Sequence, residues 1–257
     1  MFGNYYSSDC SAVPAFPLGY HSRDQQTTGT TLVAMECKGG IAVATDSRTS
    51  MGSFIAGRVS DKITVLNDHI VLLRAGVQSD SQAMADVIMY YAESNATMDE
   101  DDEIFVRNVA NYARKMHYNY RGQIDSTLIV AGYDSIKKGQ VYAITSGGYT
   151  TRQPYHVSGS GGTFIHEFIQ SRWSEGIEGE VAREILKTAI FEAQRRDTYS
   201  GGLIHTALID KNGTSRKTYR PDKEDFPTVL PVKAYPNLPE HILQPRIVEA
   251  DQLERME

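Results

Sequence analysis

The sequence predicts an α+β protein: a four-layer αββα sandwich of two antiparallel sheets flanked by helices. Three observations lead there. Strand-like runs arrive as consecutive hairpins rather than alternating with single helices, which implies antiparallel sheets. Helical periodicity appears twice, each time as a pair. The order along the chain is therefore strands, two helices, strands, two helices, strands, and two sheets with a helix pair packed outside each satisfy it.

Each element has its own signal. "TLVAMECKGGIAVATDSR" contains two β-like runs, 31–37 and 41–45, around a Lys-Gly-Gly turn. "DKITVLNDHIVLLRAG" repeats the pattern, with strands at 63–66 and 69–74 around an Asn-Asp turn. "SDSQAMADVIMYYAES" opens with Ser and Asp capping residues, and Met84, Val87, Ile88 and Tyr91 share one helical face. A second helix spans about 103–119, with Phe105, Val109, Tyr112 and Met116 in register. Its acidic start, Asp101 to Glu103, suits the positive end of a helix dipole.

Strands return at 127–133, 140–145 and 155–158, followed by helices near 162–173 and 178–195. The last of these is expected to turn Val181, Ile185, Ala189 and Ala193 inward. A final hairpin joins "GLIHTALID" to "TSRKTYR" through Lys-Asn-Gly.

Two flanking segments differ from this compact part. Residues 1–29 are rich in Ser, Tyr, Gln and Gly, show no periodicity, and read as a leader or a loose arm. Residues 220–257 hold Pro221, Pro227, Pro231, Pro236, Pro239 and Pro245, a spacing that helices and central strands do not absorb. They also carry Phe226, Leu230, Tyr235 and Ile242, more apolar than a solvated tail needs. An arm lying along a partner surface is expected.

The bulk properties narrow the function. A net charge of −6 argues against a nucleic-acid partner held on a basic surface. Cys10 and Cys37 form neither a CxxC pair nor a disulfide framework, which favours a reducing compartment. No run of eighteen apolar residues and no secretory h-region is present, so the expected location is cytoplasm or nucleus rather than a membrane. No HExxH or paired CxxC cluster suggests a metal, and no cofactor is expected.

The chemistry concentrates at Gly29-Thr30. Were that bond cut, Thr30 would present a hydroxyl nucleophile beside its own α-amine, a base of pKa about 7.7–8. Glycine on the other side leaves the scissile carbonyl accessible. On its own, Gly-Thr-Thr reads first as the start of a β-strand. Downstream, Asp46 ends one strand and Lys62 precedes another. A lysine beside the threonine hydroxyl would lower proton affinity there, and an aspartate would hold that lysine charged and oriented.

The strings "GTTLVAM", "ATDSRTSMGSFIAGRVSDK", "LLRAGVQSDSQAMAD", "GSG" at 159–161 and "RRDTYSGG" at 195–202 together resemble the active β subunits of 20S proteasomes, which are N-terminal nucleophile hydrolases. The resemblance runs from Gly29 to about Tyr219, so it implies a propeptide at 1–29, a catalytic domain at 30–219 and a C-terminal arm at 220–257. It implies Thr30 as nucleophile after cleavage at Gly29–Thr30, with Asp46 and Lys62 as its charged pair. Gly76 matches the glycine whose N–H faces the oxyanion. Ser160, Asp197 and Ser200 match residues that support the threonine amine, with Ser158 a competitor for the place of Ser160. Arg74 matches the base of the specificity pocket, where arginine marks the caspase-like, β1 type that cuts after acidic residues. Thr49, Ser60 and Thr64 match other lining positions. The resemblance further implies a 28-subunit barrel in which β subunits form a seven-membered ring beside α subunits, acting on unfolded protein. The alternative within the family is a non-catalytic, structural β subunit.

Overall fold

The computed structural model describes residues 29–96, 104–224 and 226. In chain order the first strands are β1 (Leu32–Cys37), β2 (Gly40–Asp46), β3 (Thr49–Met51), β4 (Phe54–Gly57), β5 (Ile63–Asn67) and β6 (Ile70–Gly76). Helices α1 (Gln78–Ala96) and α2 (Val106–Asn119) follow, then β7 (Ser126–Asp134), β8 (Lys138–Ile144), β9 (Thr150–Arg152) and β10 (Tyr155–Ser158). Helices α3 (Gly162–Arg172) and α4 (Gly179–Arg196) lead to the closing hairpin β11 (Ile204–Asp210) and β12 (Gly213–Tyr219).

Two five-stranded sheets result, ordered β10-β1-β2-β11-β12 and β5-β6-β7-β8-β9, and every pairing is antiparallel. Side chains alternate across a strand, and that alternation builds the layers. In β1, Leu32 and Ala34 point between the sheets, where they meet Leu73 of β6 and Ile129 of β7. Val33 and Met35 point the other way, onto Ile165 and Ile169 of α3 and Leu186 and Ile190 of α4. In β7 the same rule sends Ile129 and Ala131 inward and Leu128 and Val130 onto Met84, Ile88 and Val109 of the first helix pair. Strands buried on both faces read as unbroken apolar runs, and β2 is buried at every residue. Each fully buried aliphatic side chain contributes about 1.5–3 kcal/mol, so these three apolar layers dominate the fold. The four-layer αββα architecture expected from the sequence is the one observed.

The differences have simple physical causes. The hairpin β3–β4 and the strand β9 carry no alternating signal, because they are three or four residues long and bury a single residue, Ser50. In α4, Val181 is 52% exposed rather than inward. The buried face is Ala182, Arg183, Leu186, Ala189, Ile190 and Ala193. A line of residues four apart drifts about 40° per step on a 3.6-residue helix, so a series that ends buried at Ala193 leaves the core by Val181. Helix α2 begins at Val106, not 103, because Phe105 is extended and Asp134 accepts the Val106 N–H at 3.3 Å. The acidic stretch at 101–103 lies outside the described residues, as do 1–28 and the arm beyond Phe226. Phe226 itself stacks on Phe191 of α4 with ring centroids 4.5 Å apart.

His117 of α2 is buried at 1% exposure, with Nε2 3.4 Å from Ser126 Oγ and Nδ1 without a partner among the described residues. Burial pushes its pKa below the ordinary 6.5. The folded state therefore binds fewer protons than the unfolded one, so stability is full above about pH 6.5 and declines as pH falls below it. Thermal unfolding at pH 7.5 and 5.5 checks this: the loss at low pH is expected to be smaller in His117→Gln than in the parent, and equal losses would refute the assignment.

Candidate active site

The site forms where the start of β1, the end of β2, the start of β5 and the 197–201 loop converge. Thr30 is 4% exposed and Gly29 is buried with it. With the junction intact, the Thr30 hydroxyl donates to the Gly29 carbonyl at 2.7 Å. Lys62 Nζ donates to Thr30 Oγ1 at 3.0 Å and reaches the Gly29 carbonyl oxygen at 3.5 Å. The same ammonium sits 2.7 Å from Asp46 Oδ1.

Asp46 is fully buried, and its carboxylate is saturated. Oδ1 accepts from Lys62 and from the Thr31 N–H at 2.9 Å, while Oδ2 accepts from the N–H groups of Arg48 and Gly201, each at 3.1 Å. β2 puts it there, because its last residue pairs with Ile204 of β11 and so faces the loop before that strand. Burial pulls Lys62 below the ordinary lysine pKa, and the Asp46 charge opposes that pull.

On the far side of Thr30 lies a second polar group. Ser160 Oγ accepts the Thr30 N–H at 3.2 Å and donates to Asp197 Oδ2 at 2.6 Å. Ser200 Oγ donates to the same carboxylate oxygen at 2.6 Å and lies 2.7 Å from Thr31 Oγ1. Ser158, the competing serine, is a ladder residue of β10 opposite Leu32. The structure thus brings Thr30, Asp46, Lys62, Ser160, Asp197 and Ser200 together.

A cavity beside Thr30 is lined by Thr49, Ser60, Lys62, Arg74 and Gly76, among others. Arg74 reaches it from β6, its N–H bonded to the Lys62 carbonyl at 3.1 Å and its Nη2 to the Asp61 carbonyl at 2.8 Å. Nε of Arg74 is buried without a partner among the described residues. The Thr49 and Ser60 hydroxyls are 2.6 Å apart. Gly76 has φ +98, and a Cβ there would come within 2.5 Å of the Asp125 carbonyl oxygen. Thr64 does not line the cavity; it pairs with Leu72 within the β5–β6 ladder.

Three contacts had no sequence signal. Ser50 of the short β3 accepts the Gly29 N–H at 3.1 Å. Tyr199 backs onto Gly29, so a Cβ at 29 would fall 1.7 Å from the Tyr199 Cβ. Glycine there is a packing requirement as well as a matter of access. Arg48 crosses to the 197–201 loop. Each depends on a pairing more than twenty residues apart in the chain. Among the described residues no three His, Cys, Asp or Glu side chains group to hold a metal ion.

The polar core of the site yields a stability ordering. Asp46→Ala leaves a buried ammonium unpaired and three N–H groups without an acceptor, a loss of about 3–5 kcal/mol. Lys62→Met leaves Asp46 with its three N–H donors and is expected to cost less. Denaturant unfolding of both variants tests the order, and a reversed order would contradict it.

A sequence profile described as "Proteasome subunit" matches residues 26–209. The chain is 40% identical over 194 residues to the probable proteasome subunit beta type-1 of Schizosaccharomyces pombe, covering 76% of this chain and 85% of that one. It is 34% identical over 195 residues to proteasome subunit beta type-6 of Arabidopsis thaliana, covering 76% and 83%. Proteasome subunit beta type-9 of Homo sapiens is 37% identical over 190 residues, covering 74% and 86%.

Proposed function

Because the chain belongs to the proteasome β-subunit family, we propose that it is a catalytic member of it, a threonine endopeptidase that cuts after acidic residues and removes its own propeptide at Gly29–Thr30. One observation carries this reading: the Thr30 hydroxyl is held between the Lys62 ammonium, at 3.0 Å, and the carbonyl oxygen of the residue before it, at 2.7 Å.

In the intact chain the Thr30 nitrogen is an amide and cannot act as a base. The hydroxyl oxygen attacks the Gly29 carbonyl carbon, its proton leaving through solvent, and the Gly29–Thr30 C–N bond breaks as nitrogen takes up a proton. An ester on Thr30 remains, and water hydrolyses it. The product is a free α-amine beside Ser160 and Asp197, with an unperturbed pKa of about 7.7–8. That amine then takes the hydroxyl proton, directly or through a water, when Thr30 attacks a substrate peptide. Lys62, kept charged by Asp46, stabilises the developing alkoxide. The Gly76 N–H is the proposed oxyanion donor, a contribution of about 3–4 kcal/mol.

Specificity follows from Arg74. Its Nη2 is tied to the Asp61 carbonyl at 2.8 Å, while Nε remains buried and unbonded among the described residues. A side-chain carboxylate entering the cavity would meet the fixed positive charge of this guanidinium. Thr49 and Ser60 make the adjoining wall polar.

As a β subunit, the chain assembles with other subunits into the core particle. A seven-membered β ring beside an α ring in a 28-subunit barrel, unfolded proteins as substrates, and residence in cytoplasm and nucleus belong to the same proposal. No cofactor enters this chemistry. The competing reading is a structural β subunit with an uncleaved or silent junction.

Two experiments separate them. N-terminal sequencing of the assembled particle is expected to begin "TTLVAMECKG", and Thr30→Ala to retain the leader and lose cleavage after acidic residues. A start at Met1, or full activity in the variant, sinks the catalytic reading. Arg74→Leu is expected to raise KM for peptides with glutamate before the cut bond at least tenfold and to favour leucine there. An unaltered preference would remove Arg74 from the pocket.

A further inference from the structure

We propose that Arg48 is a positioning residue that clamps the 197–201 loop onto the β2 end of the site, so that Asp197, Tyr199 and Gly201 keep their places around Thr30. The proposal rests on the catalytic reading above.

The 197–201 segment lies between the end of α4 and the start of β11 and has no regular structure of its own. It nonetheless delivers three groups to the junction. The Asp197 carboxylate holds both Ser160 and Ser200, Tyr199 packs on Gly29, and the Gly201 N–H donates to Asp46. Its ends are secured by backbone: the Asp197 N–H bonds to the Ala193 carbonyl at 2.8 Å, and the Gly201 carbonyl accepts the Ser47 N–H at 3.1 Å. Thr198, in the middle, is held by a side chain. Arg48 Nη1 donates to its carbonyl at 2.7 Å.

The rest of the guanidinium lies against Gly201. A Cβ at that position would sit 2.4 Å from both Cζ and Nη2 of Arg48. The contact excludes any residue but glycine without displacement of the arginine. Arg48 is bonded at its other end too, its backbone N–H donating to Asp46 Oδ2 at 3.1 Å. One residue therefore touches the aspartate that orients Lys62 and the loop that supports the Thr30 nitrogen. Its buried Nε goes without a partner among the described residues.

A planar fork suits this task and an ammonium does not. Lysine could reach the Thr198 carbonyl as a point charge but would leave the Gly201 surface uncovered. The loss is thus expected to be graded, Arg48→Ala more severe than Arg48→Lys. It is expected in kcat, because the loop supports the Thr30 nitrogen; Arg48 also lines the cavity that Arg74 enters, so a change confined to KM would mark a lining role instead.

The experiment compares assembled particles carrying the parent subunit, Thr30→Ala, Arg48→Lys and Arg48→Ala on a peptide with glutamate before the cut bond, with mass spectrometry of the subunit's N-terminus. The expected result is kcat at least tenfold lower in Arg48→Ala, an intermediate value in Arg48→Lys, KM within about twofold of the parent, and slowed leader removal. A parental kcat in both variants, or a raised KM with kcat unchanged, overturns the proposal. If Arg48→Ala does not assemble, Arg48→Lys decides alone by the same criteria. Activity in the Thr30→Ala particle equal to the parent's would defeat the catalytic reading and this inference with it, whereas silence there with normal Arg48 variants defeats the inference only.

Discussion

An ammonium and a carboxylate withdrawn from water, Lys62 and Asp46 at 2.7 Å, are the contact on which the rest of the site depends. Leaving either ion alone in the interior would cost several kcal/mol, so each requires the other. The requirement is also architectural. Asp46 closes β2 in one sheet and Lys62 opens β5 in the other, and Asp46 further collects N–H groups from Thr31, Arg48 and Gly201. One carboxylate thereby joins the start of β1, two loops and both sheets at a single point. Thr30 is where it is because its neighbour's N–H ends on that carboxylate.

The intact junction is held just as closely from the other side. Gly29 has Tyr199 behind it and donates to Ser50, and its carbonyl accepts from Thr30. Packing, not only flexibility, selects glycine before the threonine. On the catalytic reading, the site that works on substrates is thus first assembled around its own chain, and the groups that hold Gly29 are in place before the bond is broken. The Arg48 clamp extends the same logic: an irregular loop carries the supporting aspartate, so its geometry has to be supplied by side chains that reach it from regular elements.

Much of this was legible in the residues. Alternation of Leu32, Val33, Ala34 and Met35 between two apolar layers is a local property, as is the helical stripe of Met84 and Ile88. Burial of such stripes dominates the free energy, so order and layering follow from pattern. The β3–β4 hairpin and β9 escaped because such short strands bury too little to leave a pattern. Val181 was misplaced because a four-residue spacing and the true helical period diverge over three turns. At the site, Thr30, Asp46 and Lys62 stood out by their strings, but Ser50, Tyr199 and the crossing of Arg48 did not.

By itself the sequence determined the succession of strands and helices, the αββα class, the family and the threonine at which the strand pattern begins, because these reside in local periodicity and contiguous strings. Only the tertiary structure decided that Ser160 rather than Ser158 meets the Thr30 nitrogen, that Thr64 is not among the residues lining the cavity, and that Gly29 is walled by Tyr199. Those outcomes depend on contacts between residues up to 170 positions apart. No local propensity encodes such a meeting. It is set by the register of β2 against β11, of β1 against β10 and of β5 against β6, which burial of whole sheets fixes collectively.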